Sequence, residues 1–390
     1  MNQKFTCLLL LLVFVFTITG ITQESAPKID LSLAKEIDHS VKLGLKYLYD
    51  QQEDDGSWQH YPGITALTLS AFLRAHPSIT IEEPALTNGF EFLKSCIKPD
   101  GSIYLDDMSH YNTAICLMAF KDANEPSFKE IITNAENFLM GAQIDESEDV
   151  NADSLYYGGV GYGGDDRPDL SNLQWAIEAM ALDDVRKIEP EMNLTDEEKT
   201  RMENKKLYYE KALVFLSRCQ NLQSVNPEKY SGNDGGFMYE PGASKAGGTN
   251  SYGTMTYAGL KSLIYAKVDK NDERVKAAYN WIRNSYSVET SPAIGNQGLF
   301  YYYQTMAKSL NAFGEEVLTD KENVSHEWRN ELANQLIKIQ SPDGFWVNEN
   351  GRWWENNPTL VTAYVILSLE EIAGLPESTT IKKRSLIFKP

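Results

Sequence analysis

Three short phrases constrain this chain more than anything else in it: QQEDDGSW (Gln51–Trp58), KPDGSIY (Lys98–Tyr104) and QSPDGFW (Gln340–Trp346). Each follows a stretch with helical apolar spacing, and each sets an acidic residue and a glycine before an aromatic or aliphatic side chain. Glycine ends a helix in the left-handed conformation, and an adjacent Asp bonds the turn backbone. A corner that recurs marks the boundary of a repeat. Looser versions stand at Gly159–Tyr162, Gly235–Phe237 and Gly298–Phe300, which makes six corners in all. The intervals between them are lengthened by polar insertions at Asp145–Ser154, Asp183–Lys205 and Asn221–Asn233.

Two kinds of helix alternate around these corners. Ile37, Val41, Leu45 and Leu48 step at helical intervals and leave a polar face, as do Leu86, Phe90, Leu93 and Ile97, and four later segments repeat the pattern. A helix with one apolar stripe lies on the outside of a core. The segments that follow the corners, such as GITALTLSAFL from Gly63 and PTLVTAYVILSL from Pro358, are apolar or small nearly all round, which belongs inside. Six outer–inner hairpins predict an all-α, (α/α)6 barrel, a toroid with its inner helices around a central cavity. An open solenoid would expose its concave face, and these inner helices are too apolar for that. Ser171-Asn-Leu-Gln174 and Thr195-Asp-Glu-Glu198 both read as capping boxes.

The N-terminus reads as an export signal over residues 1–20. Lys4 precedes an apolar run from Cys7 to Phe16, and Gly20 is a cleavage position. The chain from 21 to 390 then reads as one toroid domain with repeats over about 30–375, soluble after signal removal and periplasmic or extracellular. A hydrophobic fraction of 42% with 23% charged residues fits a globular chain. A net charge of −19 argues against nucleic acid and anionic lipid as partners. Cys96, Cys116 and Cys219 are too few and too odd in number for a disulfide framework and read as buried thiols, with a Cys96–Cys116 bridge left open.

The Gln, Asp-Gly and Trp corners on αα hairpins resemble the repeats of squalene–hopene cyclases and other terpenoid cyclases. NDGGFMYEPG followed by SYGTMTYAGLKSL is similar to the repeats of protein prenyltransferase β subunits. GGVGYGGDDRPDLSNLQWAIEAM and NENGRWWENNPTLVTAYVILSL resemble exported bacterial proteins known only as prenyltransferase/squalene-oxidase-repeat proteins, which bring no assigned chemistry. The resemblance implies the toroid, but not its usual reactions. The Asp-x-Asp-Asp-Thr-Ala motif of protonating cyclases meets Ser109-His-Tyr-Asn-Thr-Ala114, which keeps the Thr-Ala and replaces every Asp. The prenyltransferase zinc site needs Asp-x-Cys, and Cys219 has Ser217 in the Asp position. No metal site and no cofactor are expected.

Residues between each corner and its inner helix belong at the mouth of the ring. Asp107, His110, Asp165 and Asp166 are the candidate catalytic groups: paired carboxylates can split their pKa values, and His110 is the one histidine next to acidic and aromatic rim residues. Tyr111, Asp169, Tyr252, Tyr302, Trp353 and Trp354 are the candidate ligand-binding residues, as apolar walls or sugar platforms, with capping of an inner helix as the other role for Asp169. Neighbouring rim positions include His60, Tyr61, Asp106, Tyr301, Tyr303 and Glu355. Three readings follow. The first is a terpenoid-cyclase-like toroid that binds or transforms an isoprenoid or other apolar small molecule, without the usual acid or zinc site. The second is a carbohydrate-active (α/α)6 enzyme on a glycan, and the third a non-catalytic binding or assembly module. An apolar cavity with few acids marks the first, a polar cleft with two facing carboxylates the second, and a filled channel the third.

Overall fold

The computed structural model describes residues 29–75, 79–164, 167–186 and 195–374, with the backbone alone for 182–186. The expected export signal, residues 1–20, lies outside these residues, as do Asp165 and Asp166. Among the described residues twelve α-helices run α1 (Leu31–Asp50), α2 (Pro62–Ala75), α3 (Pro84–Ser95), α4 (Ser109–Asp122), α5 (Lys129–Gly141), α6 (Leu170–Arg186), α7 (Asp196–Cys219), α8 (Gly253–Tyr265), α9 (Glu273–Asn284), α10 (Leu299–Phe313), α11 (Trp328–Lys338) and α12 (Pro358–Ala373). The strands among the described residues are a two-residue antiparallel pair, β1 (Leu318–Thr319) and β2 (Ser325–His326).

The even-numbered helices form the inner ring. Each packs on the next, from α2 through α4, α6, α8 and α10 to α12, and α12 packs back on α2. The barrel is closed, as the apolar inner segments require. Positions 62–72 of α2 are buried without a break, and so are 359–369 of α12. The outer helix α1 buries only a stripe, which includes Leu33, Ile37, Val41, Leu45 and Leu48. Several outer helices lean on the inner helix that precedes them in the chain, α3 on α2, α5 on α4 and α9 on α8, whereas α11 packs on the α12 that follows it. By the same rule α1 lies on α12, so the ends of the chain meet at one seam.

The corners repeat a single device. Gly56, Gly101, Gly158, Gly235 and Gly344 all have φ between 81° and 91°. A Cβ at Gly344 would stand 2.6 Å from the Leu43 carbonyl oxygen of α1, and the other four face the next outer helix in the same way. The third corner therefore turns at Gly158 rather than at Gly159. At the fifth, Gly298 instead precedes α10, and Tyr302 and Tyr303 pin the corner through hydroxyls donated to the Ser287 and Val288 carbonyls. Four corner glutamines bridge to the next outer helix. Gln52 Nε2 donates to the Gly56 and Ala85 carbonyls, and Gln340 Nε2 to those of Gly344 and Ser40. Gln143 and Gln220 do the same. Trp58 and Trp346 each donate their indole N–H, at 2.7 Å, to an outer-helix carbonyl. From the inner helices, Thr65, Thr113, Thr256 and Thr362 accept the corner N–H of Trp58, Ile103, Phe237 and Trp346. The Thr-Ala retained at positions 113 and 114 thus carries a fold role.

The far half of the ring is filled by buried ion pairs. Glu178 of α6 accepts from Lys261 of α8 at 2.5 Å and from Lys308 of α10, all three at most 2% exposed. Burial alone would raise the Glu178 pKa, but the two ammonium groups hold it down at about 2. Arg74 bonds Asp122 and Glu371 near the same end. Cys96, Cys116 and Cys219 are buried free thiols, so no Cys96–Cys116 bridge forms. Thr195 forms its capping box with Glu198. Ser171 does not, because Asp169 already holds the Asn172 N–H at 2.9 Å. Ser171 Oγ and Gln174 Nε2 both turn to the Tyr301 hydroxyl instead.

Candidate functional site

A central cavity opens at the corner end of the ring. It contains about 1040 Å³ of empty space, its open mouth included. About 200 Å³ of it is cavity proper, a small interior for a ligand pocket. The first turns of the inner helices supply much of its wall, with Ile64 and Leu67 from α2, Ser171 and Trp175 from α6, and Leu360 and Tyr364 from α12. Ten of its twenty lining residues are Tyr or Trp, so aromatic faces rather than charges define it.

The deep wall is a chain of rings. Trp175 stacks on Tyr301 at 5.9 Å with 17° between planes, Tyr301 meets Tyr364 at 6.0 Å, and Tyr111 stands edge-on to Trp175 at 6.5 Å. Lys261 and Lys308 lie 5.4 and 5.6 Å from the centre of the Trp175 ring. The aromatic wall is thus braced by the buried ion network, one helical turn from Trp175 to Glu178. Ser171 and Gln174 place the Tyr301 hydroxyl, while the buried Gln174 Oε1 has no hydrogen-bond partner among the described residues. Tyr162 and Tyr239 share a hydroxyl contact of 3.3 Å, and the Tyr162 ring lies 6.1 Å from that of Tyr111.

The mouth is built from unusual backbone. Trp353 and Trp354 both have φ in the left-handed region (56° and 65°), as do Gln59, His60 and Met108 around them. Side-chain-bearing residues adopt this region at a cost, and such residues cluster where surroundings impose it. Trp353 can lie down because position 298 is glycine: a Cβ there would meet the ring at 2.8 Å. Trp354 stands edge-on to Tyr61 at 5.2 Å.

One carboxylate is in the lining, Glu355, itself 1% exposed. Its Oε1 accepts the Tyr301 N–H at 2.8 Å and its Oε2 the Asn348 side-chain amide at 2.7 Å. It therefore caps α10 from another segment, and burial pushes its pKa up to about 7 against these bonds. Asp169 is buried behind the wall as the cap of α6, and burial raises it to about 6. Among the described residues no group of three or more His, Cys, Asp and Glu could hold a metal ion.

The candidate residues are distributed as follows. Tyr111, Tyr252, Trp353 and Trp354 line the cavity together. Tyr302 faces away from it, toward Ser287, and Asp169 reaches it only through its neighbours. Asp107 is exposed outside the lining, with its backbone carbonyl taken by Asn112. His110 packs on Phe138 at 5.6 Å, with Nδ1 3.2 Å from the Gly161 carbonyl, and is not in the lining. Tyr111 occupies the cavity where the cyclase motif would carry an Asp. Trp175, Tyr364, Met255 and Tyr239 were not singled out from sequence. The signal for the first three is helical spacing: each lies three or four residues beyond a mouth position on its inner helix.

Compared with known protein families and with curated proteins, the sequence matches none. Solved structures do match the fold. The type II terpene cyclase MstE from Scytonema, in a complex with geranylgeranyl dihydroxybenzoate, superposes with a TM-score of 0.54 at 11% identity, over 88% of this chain and 99% of that one. The same cyclase without ligand gives 0.52 at 14% identity, over 87% and 99%. A glycosyl hydrolase family 88 protein from Bacteroides vulgatus gives 0.50 at 8% identity, over 88% and 99%. At these identities the similarity establishes the helical toroid of terpene cyclases and of such hydrolases, and no more than the fold.

Proposed function

We propose that this chain takes an isoprenoid or similarly apolar small molecule into its central cavity, and that it works outside the cytoplasm after loss of residues 1–20. The observation that carries the reading is the cavity wall: half Tyr and Trp, the rest mostly apolar, and with a single carboxylate that is bonded to the start of α10. Glycoside hydrolysis is served by two carboxylates facing one another across the substrate. The described lining offers one, already engaged. Protonation of an alkene is served by an acid aimed into the cavity, and Tyr111 stands in that position. Binding is accordingly the activity proposed. The geranylgeranyl chain held by MstE is a ligand of the right chemical kind.

Native mass spectrometry of the chain from residue 21 with farnesol, geranylgeraniol and squalene tests this. One prenol per chain is expected to remain bound. Ser171→Phe, which fills the wall, should abolish retention, while Asp107→Asn and His110→Ala should leave it unchanged. Failure to retain any of the three, or retention indifferent to Ser171→Phe, would refute the reading.

A further inference from the structure

A second concavity adjoins the central one and differs from it in chemistry. It runs beside Trp354 across the seam between α1 and α12, and holds about 720 Å³ of empty space, open solvent included. Tyr47 and Trp354 contribute rings, and Gln51, Gln59, Asn356 and Asn357 contribute four side-chain amides. Trp354 borders both spaces, so the groove begins where the cavity mouth ends.

The geometry points to an amphipathic ligand whose apolar chain fills the central cavity and whose uncharged glycosyl head lies in this amide groove. The inference rests on the cavity reading above and names the kind of molecule. Neutral amides donate and accept at once, which suits hydroxyl groups, and exposed rings stack on the apolar face of a sugar. The amides of Gln51 and Asn356 make no hydrogen bond within the described protein, so both are available. Asn357 is engaged in capping α12 through Thr359 and Leu360, and reaches Gln59 only at 3.4 Å.

Charge selects against the main alternative head, a phosphate. No basic residue lines the groove. Glu53, Asp54 and Asp55 stand exposed in the corner between Gln51 and Gln59. Arg352 of the neighbouring turn is held by the Gln297 side chain and lies over the Trp353 ring. A dianion here would meet no basic partner in the lining. The left-handed Gln59 and Trp354 both line the groove, which places the strained backbone of the mouth at the junction of the two spaces.

A matched series tests the inference on the full chain by calorimetric titration below micelle-forming concentrations: farnesol, farnesyl β-glucoside, farnesyl phosphate and methyl glucoside. The glucoside should bind about tenfold more tightly than farnesol, the worth of one or two well-made neutral hydrogen bonds. Gln51→Ala with Asn356→Ala should erase that increment and leave farnesol unchanged. Farnesyl phosphate should bind no better than farnesol. Farnesol binding without a glucoside increment, an increment that survives the double substitution, or a phosphate that binds as tightly as the glucoside would each overturn the glycosyl head and leave the cavity reading standing. Failure of farnesol and glucoside alike would overturn both. Methyl glucoside bound through Gln51 and Asn356, with farnesol unbound, would uphold the groove and sink the cavity.

Discussion

Closure of the ring depends on a glycine carbon touching a helix backbone, and that contact can be weighed. Gly344 has φ +91°, and a Cβ there would stand 2.6 Å from the oxygen and 2.8 Å from the carbon of the Leu43 carbonyl. Those atoms belong to the middle of α1 and cannot rotate aside. Gly247 has φ +86° and nothing within 4 Å of the same construction. Alanine at either site pays the left-handed conformation, about 1–2 kcal/mol, and gains the same small stabilisation from a stiffer unfolded chain. These contributions cancel in the comparison. What remains is the forced separation of the last corner from α1, which as overpacking costs about 1–3 kcal/mol. Urea unfolding followed by far-ultraviolet circular dichroism should therefore place Gly344→Ala about 2 kcal/mol below Gly247→Ala, with Gly158→Ala lower still because its carbonyl contact is 1.9 Å. If Gly344→Ala lies within about 0.5 kcal/mol of Gly247→Ala, the corner can yield without cost and the account of the seam is wrong.

Two further outcomes follow from the buried charges. Glu178→Gln leaves the Lys261 and Lys308 ammonium groups buried against each other, so a loss of about 3–5 kcal/mol is expected in thermal unfolding, with partial recovery when Lys308→Met is added. Asp169 and Glu355 are raised in the folded protein, to about 6 and about 7, so the stability tied to their protonated forms is present below pH 4 and is lost as pH rises through those values. Glu178, held at about 2, contributes in the opposite sense: its stability is present above pH 4.5 and is lost as pH falls toward 2. The midpoint of urea unfolding should thus be highest near pH 4–5 and fall toward pH 7, and Glu355→Gln should flatten the upper part of that fall. A profile that rises from pH 5 to pH 7 would contradict the sign.

The architecture was legible because it rests on repetition. Apolar stripes sorted outer from inner helices, and a returning Asp-Gly corner placed the hairpins; both depend on local rules that a sequence displays directly. The corner misread at Gly159 shows the limit. Gly158 and Gly159 are adjacent and both too crowded for a side chain, but only Gly158 has a left-handed φ and faces the α7 backbone, while Gly159 meets the Pro168 and Phe215 side chains. The site was half legible for the same kind of reason. Tyr111, Tyr252, Trp353 and Trp354 belong to mouth segments, where proximity to a corner is enough to predict cavity lining. Tyr302 occupies a similar sequence position, yet α10 begins with Gly298 as its cap, and that register sends Tyr301 inward and Tyr302 toward Ser287.

Charge is where the sequence misleads most. The carboxylates that draw the eye, Asp106 and Asp107, are solvated, whereas the acids that shape the cavity are single letters within apolar helices or turns. Glu178 lies in QWAIEAMAL with no basic residue nearby in sequence; its partners are 83 and 130 positions away. A buried charge must be paired, so an isolated Glu in an all-round apolar inner helix already demands a cation from another inner helix. In this ring such cations are Lys261 and Lys308, each itself isolated in an apolar inner segment. The same reasoning applied to Glu355, which precedes α12 among aromatic and amide residues, demands donors rather than a cation. The start of α10 supplies them, and that fixes the floor of the mouth to the wall of the cavity.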